Sequence, residues 1–131
     1  MGISSFTLAV LRRVVGASDG RLDWLDIIRW SQIENLSVPE FYDNIAEYVA
    51  RSYQAREMSY VEADCIVNEL YFNWALNEQC RVPAPPWPEL FLDIYLAFDS
   101  GEYRRTDAKE HDPIVDCTDP AVKAILSRLD A

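Results

Sequence analysis

The residues best suited by type to do chemistry lie in one short stretch, His111-Asp112-Pro113-Ile114-Val115-Asp116-Cys117. A histidine, two carboxylates and a thiol are the ligand types of a metal centre. The spacing argues against one. There is no second histidine, there are no cysteines paired at zinc spacing, and the adjacent Asp116 and Cys117 are poorly placed to reach one ion. Asp112-Pro113 and Asp119-Pro120 read instead as turn and cap signals. Cysteine–histidine catalysis needs a thiol, an imidazole and an orienting group. Cys65 falls on the apolar stripe of a helical segment, where a small buried thiol is expected. Cys80 and Cys117 fall in loops, and nothing in the spacing joins either to His111. An enzyme using Cys117 or His111 would need a pocket that brings them together. With 22 acidic residues, carboxylate pairs arise without a glycosidase. Only Gly2, Gly16, Gly20 and Gly101 are present, and they form no phosphate-binding loop. The expectation is a protein that is not an enzyme and binds neither cofactor nor metal.

What the chain does carry is acid. Its formal net charge is -10. Residues 1–57 hold 6 basic and 8 acidic side chains, whereas residues 58–131 hold 6 and 14. The densest part, from Glu89 to Asp119, holds nine acids and three basic residues. Such a field repels nucleic acid and anionic membrane and attracts basic protein surfaces. Aromatic residues travel with acids, as in Glu69-Leu70-Tyr71-Phe72, rather than with arginines. Direct nucleic-acid binding is therefore not expected. Ten of the twelve basic residues are arginine, which favours bidentate internal pairing with carboxylates.

The elements that must position these charges are helical. Half the residues are apolar and 12% are aromatic, enough for a core despite the charge. Phe6, Val10, Leu11 and Val14 put a first helix over about Ser5–Val15, ended by Ser18-Asp19-Gly20. Trp24, Leu25, Ile27 and Ile28 give a second, to about Ile33. Ser37-Val38-Pro39 opens a third, with proline at its first position and Phe41, Ile45, Tyr48, Val49 and Ser52 as its buried stripe. On its flank Glu47 is one turn from Arg51. Ser59-Tyr60-Val61-Glu62 fits a capping box for a fourth helix to about Asn77, with Met58 and Ala63 as its staple. Its stripe is Val61, Cys65, Ile66, Leu70 and Trp74, and it should be buried on much of its circumference. Four prolines make residues 80–88 an extended linker. Pro88 opens a fifth helix that stops near Ser100-Gly101. Residues 102–117 read as irregular, and Asp119-Pro120 caps a last helix. The fold class is thus all-α: one domain over residues 1–131, a bundle of five to six helices. Its possible sub-lobes are 1–79 and 88–131, joined by the linker at 80–88. The N-terminus does not resemble a signal peptide, the three cysteines suit free thiols, and no apolar run spans a bilayer. A cytoplasmic monomer is expected.

The plain reading of the acidic segment is a solvated face that keeps the protein soluble; the sharper reading is a surface for a basic partner. Asp99, Glu102, Asp107, Glu110, Asp112 and Asp116 are its candidate contacts, and Tyr103 its apolar anchor. The linker would hold the segment in place and lower the ordering cost of binding. The stretch from Trp87-Pro88-Glu89 to Gly101-Glu102-Tyr103, followed by Asp112-Pro113 and Thr118-Asp119-Pro120, resembles the small acidic immunity proteins of bacterial polymorphic-toxin, contact-dependent-inhibition and type VI systems. That resemblance covers about a third of the chain. It implies a protein that binds one cognate toxin, often a nuclease, and occludes its active or substrate-binding surface. Immunity families share no fold, so it implies no site residues. The alternative is a non-catalytic adaptor or secretion chaperone, which would show a large exposed apolar patch.

Overall fold

The computed structural model describes residues 3–17, 21–102 and 112–131. Among the described residues six α-helices follow in order: α1 (Ser5–Val15), α2 (Trp24–Ile33), α3 (Val38–Gln54), α4 (Tyr60–Asn77), α5 (Glu89–Asp99) and α6 (Asp119–Leu129). A five-residue π turn, Ile114–Thr118, runs into α6. No strand occurs among the described residues, and the all-α expectation holds. α5 packs on both α3 and α4, α6 covers α3 and α5, α1 lies on α4, and α2 lies on α3.

Helix starts follow local chemistry. Ser37 and Glu40 form a complete capping box at α3, with Pro39 in the first turn. At α4 the box is half formed. Ser59 Oγ accepts from the Glu62 N–H at 3.1 Å. The Glu62 carboxylate does not return to Ser59. It accepts from Arg12 Nε and Nη2, both at 2.8 Å, because a charge-assisted fork outbids a neutral N–H. Arg12 also donates to Tyr48 Oη at 3.2 Å, so one guanidinium joins α1, α3 and α4. Arg12→Ala should cost about 1 kcal/mol, read as a lower urea midpoint at unchanged m-value. The predicted Glu47–Arg51 pair forms at 2.9 Å.

The first turn of α5 is capped from a distance. Pro88 has no side chain that could cap, and Asp43 Oδ1 on α3 accepts the Phe91 N–H at 2.9 Å. Two helices end in left-handed residues that are not glycine, Asn35 (φ 58°) and Arg56 (φ 63°). Both ends are Schellman motifs. Leu36 N donates to Ser31 O and Glu57 N to Ser52 O, each at 2.9 Å.

The core is aromatic. Trp74, Tyr42, Phe41, Phe91 and Phe98 are fully buried. Tyr42 meets Trp74 and Phe91 edge-on, at 5.3 and 5.0 Å between ring centres. Its hydroxyl donates to Leu70 O at 2.8 Å. At the far end of α5, Gly101 permits close packing. A Cβ there would overlap Thr118 Oγ1 and press on Tyr60 Oη. Both oxygens are engaged with α5, Thr118 donating to Ala97 O at 2.7 Å and Tyr60 to Phe98 O at 2.6 Å.

Several expectations are corrected. The core face of α1 is Thr7, Leu11 and Val15, whereas Phe6 is 74% exposed. Leu25 on α2 points to solvent, and Ile27 and Trp30 face inward. Residues 112–118 are not irregular: after Pro113 they wind into the π turn. Since that turn continues into α6, Asp119 is no cap. Its carboxylate accepts from Tyr53 Oη at 2.5 Å and meets Arg56 at 3.6 Å. Cys65 and Val61 are exposed, not buried.

Candidate functional site

That last correction defines an unusual surface among the described residues. α4 carries apolar residues on two opposite faces. Ala63, Ile66, Val67, Leu70 and Trp74 point into the core. At the same helical spacing, half a turn away, Val61, Cys65, Phe72 and Leu76 are exposed. Phe72 is 58% and Leu76 73% accessible. A helix with only one partner side needs no such second face.

α5 borders this face on one side and runs antiparallel to α4. Tyr71 of α4 lies flat between two rings, Tyr95 at 4.1 Å and Trp87 at 4.7 Å between centres. Trp87 belongs to the proline-rich segment, so the linker is held by stacking as well as by its prolines. All three rings are half-buried. Two turns toward the α4 N-terminus, on the stripe 64–68–71, stands Asp64. It faces Asp99 and Glu102 from the end of α5. Asn68 Nδ2 donates to Glu102 Oε2 at 3.4 Å.

Three carboxylates are thus gathered with no cation among the described residues shown to pair with them. Asp64 Oδ1 is buried without a hydrogen-bond donor. Burial, then the negative charge of Glu102, a hydrogen bond shared with it, and the charge of Asp99 push the Asp64 carboxyl up to about 7. The same field reaches Tyr95, whose hydroxyl burial raises first and the carboxylates raise further, to about 12. The Cys65 thiol is also pushed up, by burial and then by Asp64 and Glu69. A raised thiol pKa makes a poor nucleophile.

The sequence-predicted contacts divide into groups. Asp99 and Glu102 come together and meet Asp64, which charge density alone did not single out. Asp112 and Asp116 serve the π turn: Asp112 Oδ1 accepts the Ile114 N–H at 3.0 Å, and the Asp112 N–H donates to Asp116 Oδ2 at 3.2 Å. Tyr103, Asp107 and Glu110 lie outside the described residues, as does His111. Cys117 is half-buried. Among the described residues no group of three His, Cys, Asp or Glu side chains could hold a metal ion, and no helix is long and apolar enough to cross a membrane.

The face therefore offers apolar side chains, flat aromatic edges and clustered negative charge, which are the parts of a protein interface. No family model, no curated protein and no solved structure matches the chain. The geometry alone must carry the functional reading.

Two sequence signals pointed toward the face. Asp64, Asn68 and Tyr71 repeat at four and three, the spacing of one helical stripe. The apolar residues of α4 also exceed what one core-facing side requires. Neither signal names a partner, because Asp99 and Glu102 reach Asp64 only through the fold.

Proposed function

We propose that the chain is an immunity protein that acts in the cytoplasm and neutralises a cognate toxin with a basic, nuclease-like surface, occluding the surface where the toxin works. The observation that carries this reading is the cluster of Asp64, Asp99 and Glu102 at the rim of an exposed apolar face. Like charges pressed together raise the energy of the free protein. A cationic surface would relieve that repulsion, so the cluster favours a basic partner over none. The net charge of -10 adds long-range attraction that speeds capture. A toxin that grips phosphate must present the complementary field.

The test is association with the basic C-terminal domain of a large toxin encoded beside this gene. The chain should protect cells that express the domain and should bind it in purified form. Asp99→Lys with Glu102→Lys should slow association at least about tenfold at low salt and flatten its salt dependence, with a smaller change in dissociation. Absence of both protection and binding by the wild-type protein would remove the reading.

The adaptor or secretion-chaperone reading keeps one supporting observation, the exposure of Phe72 and Leu76. It predicts a homodimer whose partner is an unfolded or secreted polypeptide rather than a folded basic domain. Stoichiometry and the folded state of the captured partner separate the two.

A further inference from the structure

The carboxylate cluster accounts for attraction but not for the exposed apolar stripe beside it. Val61, Cys65, Phe72 and Leu76 run along α4 over sixteen residues, a length of about 22 Å. That is the length of a four-turn helix laid alongside. Toward its C-terminal half the stripe borders a groove lined by Arg21, Leu22, Glu69, Phe72, Asn73 and Leu76. On the opposite flank lie the half-exposed edges of Tyr71, Tyr95 and Trp87, amphipathic rings of the kind enriched at protein interfaces. At the N-terminal end stand Asp64, Asp99 and Glu102. The face is thus apolar along its length, grooved at one end and anionic at the other.

Two occupants could cover such a stripe. A second copy would bring another chain of net charge -10 against this one. Charge complementarity selects the other. We infer that the outer face of α4 seats a basic amphipathic helix of the partner, whose apolar residues cover Phe72 and Leu76 and whose arginines reach Asp64, Asp99 and Glu102. This inference rests on the proposed function for the partner's charge, and it names the contacting element. It also places the binding energy. The apolar residues set how long the complex lasts, and the carboxylates set how fast it forms.

The test uses peptides, so it needs no toxin. One probe is an 18-residue helix with leucine on one face and arginine on the other. The second has the same composition, scrambled so that no face is apolar. The third is oligo-arginine of equal charge. The amphipathic peptide should bind at least about tenfold more tightly than either control. Side-chain NMR signals of Val61, Phe72, Leu76, Tyr71 and Tyr95 should move. Phe72→Ser with Leu76→Ser removes two exposed side chains and should keep the melting temperature while losing the tenfold preference. Equal binding of the three peptides would overturn the inference, and so would an unchanged preference in the serine variant. A wild-type dimer that the serine variant converts to monomer would overturn it in favour of a second copy. Protection against the toxin together with equal binding of the three peptides would leave the immunity reading standing and remove this face. Peptide preference without protection would do the reverse.

Discussion

Trp74→Ala is expected to cost about 3–5 kcal/mol of folding free energy, whereas Trp74→Phe should cost less than about 1.5 kcal/mol. The indole sits where α4 meets the core, 1% exposed, edge-on to Tyr42 and tilted 5.9 Å from Trp87. Alanine leaves a cavity that rigid neighbours cannot fill. Phenylalanine keeps most of the ring volume and removes a donor, because Trp74 Nε1–H is buried and has no hydrogen-bond partner. An unpaired buried donor costs about 1–3 kcal/mol, so its removal offsets the lost packing. Urea unfolding of both variants reads the difference. A phenylalanine variant as unstable as the alanine one would show that the indole N–H is bonded after all.

The same substitution probes the site. Trp87 rests on Trp74 and stacks on Tyr71, which stacks on Tyr95. A cavity at Trp74 would loosen the ladder from below without touching any exposed group. The surface is therefore only as well placed as the core beneath it.

Element starts were legible because they depend on neighbours in sequence. Ser37, Ser59 and Pro88 announce α3, α4 and α5 within their own turns. Element ends were less so. Asn35 and Arg56 close Schellman motifs without the glycine that usually marks such an end. Long-range partners defeat local rules in the same way. Glu62 leaves its box for Arg12, fifty residues away, and Asp43 caps a helix that starts 46 residues later. Phe6 and Thr7 show why stripes mislead at helix starts. Thr7 turns inward because its hydroxyl donates to Glu34 at 2.7 Å, which leaves Phe6 outside.

The site was half legible for a related reason. Net charge points to the region of Asp99 and Glu102, since acid density is a sum over sequence. Asp64 is one acid on an apolar helix, and its role appears only when α5 folds back along α4. The outer stripe was hidden by the opposite error. A helix apolar around much of its circumference reads as buried, yet α4 lies at the edge of the bundle with one side open.

Asp64 supplies the second large effect, and its sign follows from the direction of its shift. Its carboxyl titrates at about 7 in the folded protein, against about 3.9 in an unfolded chain. Between those values the folded state holds a proton that the unfolded state has released. Stability therefore falls as pH rises from about 4 to about 7, and is level above that. The full shift would correspond to about 4 kcal/mol. Asp64 is only partly buried, so solvent screening should leave about 2 kcal/mol. Asp64→Asn keeps the shape and removes the charge. It should match the wild type at pH 4 and exceed it by about 2 kcal/mol at pH 8, as read from urea midpoints across the range. Binding gives the complementary result. A basic partner favours the ionised cluster, so association near pH 7 should release a proton, and wild-type affinity should rise between pH 6 and 8. Calorimetry in two buffers of different ionisation enthalpy reads that proton directly. Asp64→Asn should bind with little pH dependence and no proton release. If its stability curve ran parallel to that of the wild type, the cost would not reside at Asp64. The cluster would then be a surface of ordinary carboxylates, and the case for a cationic partner at that end of α4 would fall with it.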